Sequence, residues 1–285
     1  MTNAAVKTSG HYTLKIVYDD DSINPREDYD NFGKMRCWHS RYTLGDTHDH
    51  SSPDDFLKDL VRGTISEKEI INYVKDGNAA DLKLEYNKAT HEWELTSYDD
   101  YFKKWYEVGT YPAPLETESY YICDGILENM STNKLMELAK RENIIMPLFL
   151  YDHSGISIST RSFIGRAQHA EWDSGQVGWT YASNADIIKE YGNTSPENVA
   201  RAEKLLKSEV ETYDCYLRGE CYGFQLFEDG EEKDSCWGFL GSFDEALKAI
   251  REYLPEEALP LAENAEYGDD EPEYDPDDDI EMEDE

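Results

Sequence analysis

The alternation of apolar and polar residues predicts several β-strands in this chain. Residues 11–18 (HYTLKIVY) alternate polar and apolar and predict a strand, and residues 34–44 (KMRCWHSRYTL) predict a second one. The pair Asp229-Gly230 separates two further alternating runs. Because Asp-Gly is a strong two-residue turn, it predicts a β-hairpin over residues 221–239.

Apolar residues at helical spacing predict the helices. A helix is expected over residues 53–61, where Ser52 serves as the N-cap, and the longest helix over residues 196–218. The aromatic residues within 99–108 (DDYFKKWYEV) also fall at helical spacing and predict a helix. Residues 119–123 (SYYIC) are typical of a strand.

These elements follow one another without βαβ regularity. The sequence therefore predicts an α+β fold with mixed, largely antiparallel sheets and packed helices. A proline-bearing stretch near residue 112 suggests two folded regions, residues 1–110 and residues 116–260. Residues 261–285 are expected to be a disordered acidic tail, because they hold little apolar surface to offset the entropy of ordering.

The net charge restricts the possible functions of the chain more than any motif does. The 285 residues include 62 Asp and Glu against 27 Lys and Arg, a net charge of −35. Residues 263–285 hold 14 of the acids and no Lys or Arg, so residues 1–262 still carry −21. Such a body repels nucleic acids and anionic lipids and attracts basic surfaces, above all those that bind DNA or RNA.

The remaining composition indicates a folded protein of a reducing compartment. Aromatic residues reach 13%, which is enough to build a core with few aliphatic side chains. The five cysteines are scattered and form no Cys-x-x-Cys pair, so we expect reduced thiols. No signal peptide and no apolar run of membrane-spanning length are visible, which predicts a cytoplasmic protein.

Two short segments contain metal-binding residue types. Asp46, His48 and His50 alternate in GDTHDH, and alternate residues of an extended chain share one face. Asp152 and His153 form a second, smaller set. Neither segment has a distant ligand in a recognisable spacing, so a solvated polar loop is favoured for the first and a turn for the second.

Three further motifs are explained by turns or packing. The run from Asp152 to Ser154 contains the residue types of a hydrolase triad, but consecutive residues in a turn point apart. Trp172 opens WDSGQVG and is interpreted as a packing anchor beside a tight turn. The two Cys-Trp pairs that begin at Cys37 and Cys236 lie in strand-like runs and are interpreted as core residues.

Four blocks together resemble a family of acidic, functionally unassigned proteins of bacteriophages and mobile elements. The blocks are residues 31–46 (NFGKMRCWHSRYTLGD), 151–160 (YDHSGISIST), 172–178 (WDSGQVG) and 234–239 (DSCWGF). The resemblance implies a soluble protein of phage or mobile-element origin that acts in the bacterial cytoplasm. It brings no established activity and no functional residues.

The charge alone does not make the chain resemble DNA. Spread evenly over the body, it gives on the order of 550 Å² of surface per net charge, roughly five times sparser than on a duplex. Mimicry of DNA therefore requires carboxylates gathered on one face, or several protomers joined together.

The leading hypothesis is an inhibitory binding protein. It would block a nucleic-acid-binding host defence enzyme, such as a restriction or CRISPR nuclease, by presenting a DNA-like carboxylate surface. The carboxylates expected to contact this partner lie at predicted turns and helix starts: Asp19, Asp20, Asp21, Glu27, Asp28, Asp30, Asp54, Asp55, Glu231 and Glu232. No catalytic residue, metal ion or cofactor is predicted, direct binding of nucleic acid or membrane is not expected, and a homo-oligomer is compatible with the sequence.

Two alternatives remain open. The chain is a metal-dependent enzyme that uses the GDTHDH segment, or it is a phage assembly or structural protein whose acidic tail keeps a basic partner from DNA.

Overall fold

The computed structural model describes residues 2–114 and 118–268. Its strands are β1 (Asn3–Ser9), β2 (Tyr12–Tyr18), β3 (Lys34–Cys37), β4 (Leu82–Asn87), β5 (Glu92–Asp99), β6 (Lys104–Pro112), β7 (Asn143–Asp152), β8 (Ile156–Ser159), β9 (Ser174–Ser183), β10 (Cys221–Glu228) and β11 (Glu231–Leu240). Its helices are α1 (Pro25–Asp28), α2 (Pro53–Thr64), α3 (Glu67–Lys75), α4 (Ser119–Asn129), α5 (Thr132–Ala139), α6 (Ala170–Asp173), α7 (Asn184–Tyr191), α8 (Pro196–Leu217), α9 (Phe243–Ile250) and α10 (Leu259–Glu263). The predicted α+β class with largely antiparallel sheets is confirmed.

The chain forms two compact units, and each unit is built from separate stretches of sequence. Among the described residues, unit 1 comprises residues 2–31, 150–175 and 208–268, and unit 2 comprises residues 32–114, 118–149 and 176–207. The expected division near residue 112 differs from these units. The reason is long-range pairing, since β2 lies beside β10, about 200 residues further along the chain.

Unit 1 is organised around an antiparallel sheet of order β1-β2-β10-β11. The predicted β10–β11 hairpin is present, with Asp229 and Gly230 both at positive φ in its turn. One face of the sheet carries Leu14, Ile16 and Phe224, which are buried in one cluster with apolar residues of α9 and α10. Burial of this face fixes the register of β2 against β10.

The C-terminal end of the described chain belongs to this core. Leu261 and Ala262 of α10 are buried, and the Tyr267 hydroxyl lies 2.5 Å from that of Tyr18. The expected disordered tail therefore does not begin at residue 261. Residues 269–285 of that predicted tail lie outside the described residues.

In unit 2, helices α2, α3, α4 and α5 pack with the antiparallel sheet β4-β5-β6. Its core joins apolar residues of α2, α3, α4 and α5 to Leu82, Leu84 and Leu95 of the sheet. The predicted N-cap of α2 is confirmed, since the Ser52 hydroxyl accepts the backbone N–H of Asp55. None of the helices in the described stretches is long and apolar enough to cross a membrane.

Three local predictions were wrong. Residues 99–108 form a turn and part of β6 rather than a helix, because the Asp99 carboxylate accepts the N–H groups of Tyr101 and Phe102 and closes a hairpin. Residues 119–123 begin helix α4 rather than forming a strand, because apolar residues continue at helical spacing and are buried on one face. The strand predicted over 34–44 ends at Cys37.

Gly178 in WDSGQVG has a packing role. It lies opposite Cys37 where β9 pairs with β3, and a Cβ atom there would overlap the backbone carbonyl of Arg36. Only glycine allows the two strands to approach so closely. This part of the block is therefore explained by the fold of unit 2.

We predict that Gly178→Ala destabilises the protein by roughly 2–3 kcal/mol, because the new methyl group forces β3 away from β9. Gly175→Ala is the matched control, since a Cβ at Gly175 meets no atom within 4 Å. Urea unfolding of both variants measures the effect. Equal stability of the two variants would show that the close approach is unimportant.

Candidate partner-binding surface

The negative charge is distributed unequally between the two units. The described residues of unit 1 contain 25 Asp and Glu against nine Lys and Arg, a net charge of −16. Unit 2 contains 25 Asp and Glu against 18 Lys and Arg, a net charge of −7, although it has more residues than unit 1. The carboxylate excess of the folded chain therefore lies mainly on unit 1.

Eight carboxylates of unit 1 lie in two groups, at the two ends of the β10–β11 side of its sheet. We call this set the acidic edge: Asp19, Asp20, Asp21, Glu228, Asp229, Glu231, Glu232 and Asp234. The first three follow the end of β2, and the others lie at the opposite end of the sheet, on or beside the β10–β11 turn. Seven residues of β2 separate the two ends, a length of about 20 Å.

The Asp19 carboxylate makes hydrogen bonds within unit 1 rather than facing a partner. Its carboxylate accepts the backbone N–H of Gly238 at 3.1 Å and of Asp21 at 3.2 Å. The Cys221 thiol donates to the same carboxylate at 3.7 Å. Burial, and after it the charge of Asp19, raises the pKa of Cys221 to about 11, so this thiol stays protonated and unreactive at neutral pH.

Asp20 and Asp21 are exposed at the mouth of a groove. The groove has a volume of about 650 Å³, and its walls include Tyr18, Ile23 and Trp237. Among the described residues, neither of the two carboxylates has a cationic partner. The Trp237 ring lies against Gly223, where a Cβ would overlap it, so the indole is held in place at the groove.

The other end of the acidic edge contains one lysine. Lys233 lies 3.6 Å from the carboxylates of both Glu228 and Glu231. Glu232 is exposed and accepts a hydrogen bond from Gln225 at 3.3 Å. One lysine among five carboxylates leaves this end of the sheet strongly negative.

Glu27, Asp28 and Asp30 are exposed on and just after α1. The helix is anchored beneath them by Arg26, whose guanidinium is buried and lies 3.6 Å from Glu209 of α8 in the same unit. Burial of the one cation of this segment leaves its acids facing solvent. These three residues extend the negative surface of unit 1.

Asp54 and Asp55 belong to unit 2 and have local structural partners. The Asp54 carboxylate accepts a hydrogen bond from Thr132 at 2.7 Å. Asp55 accepts one from Ser51, and this bond together with that to Ser52 lowers the pKa of its carboxyl group. Both residues stabilise the start of α2, which is the ordinary role of acids in the first helical turn.

The GDTHDH segment packs against β3. The Asp46 carboxylate accepts the N–H of Met35 at 2.8 Å, and His48 Nε2 lies 3.0 Å from the carbonyl of Cys37. His50 Nε2 lies 3.3 Å from Asp59. Within residues 2–114 and 118–268, no three His, Cys, Asp or Glu side chains are grouped so that they could hold a metal ion.

Two of the sequence blocks meet in unit 1. His153 Nδ1 lies 2.8 Å from an Asp173 carboxylate oxygen, although the two residues are 20 positions apart. Ser154 donates instead to the backbone carbonyl of His153, so the Asp-His-Ser run does not form a catalytic triad. The expected turn is confirmed by the positive φ of Ser154 and Gly155.

Trp172 does not have the role that the sequence suggested. Its side chain is 88% exposed, so it is not a packing anchor. It belongs to the short helix α6, whose buried residue is Ala170. No pattern in the sequence distinguishes this exposed tryptophan from the partly buried Trp179 seven residues later.

Comparisons with known proteins give no indication of the function of this chain. No protein-family model matches the chain. No curated protein and no solved structure matches it either.

We predict a pKa above the ordinary value of 6.5 for His11, because its ring is hydrogen-bonded to the Asp229 carboxylate at 2.6 Å. The protonated ring is the better partner of the carboxylate. This contact therefore stabilises the fold below pH 6.5 and is lost as the pH rises through the raised pKa. NMR titration should show the pKa falling in Asp229→Asn and unchanged in Glu231→Gln. An unchanged value in Asp229→Asn would contradict the assignment.

Proposed function

We propose that this protein inhibits a nucleic-acid-binding enzyme of bacterial defence by occupying its DNA- or RNA-binding surface. The observation that carries the proposal is the concentration of charge on unit 1, with a net −16 on its described residues. A restriction or CRISPR nuclease offers the basic surface that such a unit attracts. The resemblance to phage and mobile-element proteins supplies the setting, the cytoplasm of a bacterial host.

The acidic edge has the charge density that this function requires. Over about 20 Å, duplex DNA carries about 12 phosphates, of which roughly half face any one side. Besides the structural Asp19, the acidic edge presents seven carboxylates in two groups separated by a similar length, and Lys233 pairs with two of them. A basic groove shaped for one face of a duplex therefore meets a comparable number of negative charges.

The groove beside Asp20 and Asp21 supplies contacts that DNA does not. Tyr18, Ile23 and Trp237 give an apolar wall directly next to two exposed carboxylates. Tryptophan and tyrosine at the centre of an interface commonly contribute most of the binding energy, while surrounding charges increase the association rate. We expect the groove to anchor the partner and the acidic edge to guide it there.

Neutralising the edge should weaken inhibition by about tenfold or more, because electrostatic attraction sets much of the association rate. The variant combines Asp20→Asn, Asp21→Asn, Glu231→Gln and Glu232→Gln. DNA-cleavage assays with a panel of purified restriction and CRISPR nucleases, at low and high salt, measure the potency. Inhibition by the natural protein should itself weaken as salt rises.

The matched control neutralises four exposed acids of unit 2: Asp49→Asn, Asp76→Asn, Glu85→Gln and Glu190→Gln. Both variants change the net charge by the same amount. A difference in their inhibitory potency would therefore show that the position of the carboxylates matters. Equal loss in the two variants would show that total charge, not the acidic edge, is responsible. Absence of inhibition across the panel at any salt concentration would exclude this function for these enzymes.

Deleting residues 269–285 distinguishes the acidic edge from the acidic tail. These residues contain 12 of the 62 acids. If the edge carries the function, the truncated protein still inhibits the nuclease and loses only part of its salt dependence. If the tail carries it, as in an assembly protein that shields a basic partner, the truncation removes inhibition completely.

A further inference from the structure

The groove beside Asp20 and Asp21 is lined for a positively charged ligand. Among the described residues, its walls contain three aspartates and no lysine, arginine or histidine. The carboxylates of Asp20 and Asp21 are exposed and have no cationic partner in the described chain. The backbone N–H of Gly238, which could bind an anion, already donates to Asp19 at 3.1 Å. Charge therefore disfavours an anionic ligand and favours a cation.

Two aromatic walls of the groove are fixed in place. A Cβ at Gly223 would meet three neighbouring ring carbons of Trp237, namely Cε3, Cδ2 and Cζ3, so the indole lies face-on over this glycine. The Tyr18 hydroxyl lies 2.5 Å from that of Tyr267, and the Tyr18 ring centroid lies 5.2 Å from that of Tyr222. Both side chains are thus ordered before a ligand binds, which lowers the entropic cost of binding.

The lining favours an organic cation over a metal ion. In the described part of the chain, no three His, Cys, Asp or Glu side chains are grouped so that they could hold a metal. The Asp19 carboxylate is already hydrogen-bonded to two backbone N–H groups and to the thiol of Cys221. Tyr18, Ile23 and Trp237 add apolar surface, with which a strongly hydrated metal ion makes no favourable contact.

Among the cationic side chains of proteins, arginine fits this lining better than lysine. A guanidinium is flat and weakly hydrated, stacks on aromatic rings and donates two parallel hydrogen bonds to a carboxylate. The lysine ammonium is compact and strongly hydrated, so it loses water beside an apolar wall without gaining a stacking contact. The groove, with a volume of about 650 Å³, has room for one such side chain.

We propose that this groove binds an arginine side chain of the partner, with the guanidinium stacked on Trp237 and paired with Asp20 or Asp21. The identity of that partner rests on the proposed function, because enzymes that bind nucleic acids use arginines to contact phosphates. The two carboxylates then take the place of a phosphate. Inhibition follows because an arginine that the enzyme needs for DNA or RNA is occupied.

NMR spectroscopy of the isotope-labelled full chain tests the pocket with two peptides of equal charge, acetyl-Gly-Arg-Gly-amide and acetyl-Gly-Lys-Gly-amide. We expect the arginine peptide to shift the Trp237 indole signal saturably at millimolar concentrations. The lysine peptide should bind roughly fivefold more weakly, because it lacks the stacking contact. Equal affinity for the two peptides, or no saturable shift with either, would overturn the proposal.

Removing the carboxylates tests the pairing. Asp20→Asn combined with Asp21→Asn should weaken binding of the arginine peptide roughly tenfold, because charge-assisted hydrogen bonds are lost. The matched control, Glu231→Gln combined with Glu232→Gln, removes the same charge at the other end of the acidic edge. At physiological salt this distant change is screened and should leave the affinity unchanged. Equal weakening by both pairs would show general attraction between charges and would refute the pocket.

Replacing the indole tests the stacking. Trp237→Leu keeps an apolar wall but offers no ring face, so the preference for arginine over lysine should disappear. The amide signal of Gly238 reports binding in this variant. A preference that survives the substitution would contradict the assigned geometry.

The peptide assays need no nuclease, so this proposal and the proposed function fail separately. Arginine binding without inhibition of any nuclease in the panel would support the pocket and count against the proposed function. Nuclease inhibition without arginine binding would overturn the pocket and leave the proposed function in place.

Discussion

The fold depends on burial of apolar surface that is strong enough to oppose repulsion between carboxylates. In unit 1, a cluster of buried residues between one face of the sheet and helices α9 and α10 supplies this burial. The carboxylates lie where repulsion costs least, at strand ends, in turns and along the sheet edge, where water screens them. A core built mainly of leucine, isoleucine and alanine thus supports a surface whose charge would otherwise expand the chain.

The parts of the fold that could be predicted from the sequence are those fixed by local chemistry. The Asp229-Gly230 turn, the Ser52 cap and the 22-residue helix α8 depend on residues close in sequence. The interleaved units could not be foreseen, because pairing of β2 with β10 has no local signal. The segment around Trp105 was mistaken for a helix because its aromatics pair across strands rather than along a helix face.

The candidate surface was foreseen in part, for a similar reason. Acids at turns and helix starts were correctly expected to lie near the surface, since such positions project outward. Their partners could not be read from the sequence. The Asp19 carboxylate accepts a hydrogen bond from the N–H of Gly238, more than 200 residues away. The Asp55 carboxylate accepts one from Ser51, just before its own helix. Whether a carboxylate is exposed can therefore be predicted from the sequence. Whether it is free to contact a partner depends on hydrogen bonds that only the folded chain makes.

The unequal charge of the two units concentrates the attraction for a basic partner on one of them. Uniform acidity would repel copies of the chain at every surface and would leave about the same weak field everywhere. Concentrating the excess on unit 1 strengthens the field on the surface that a basic partner would approach.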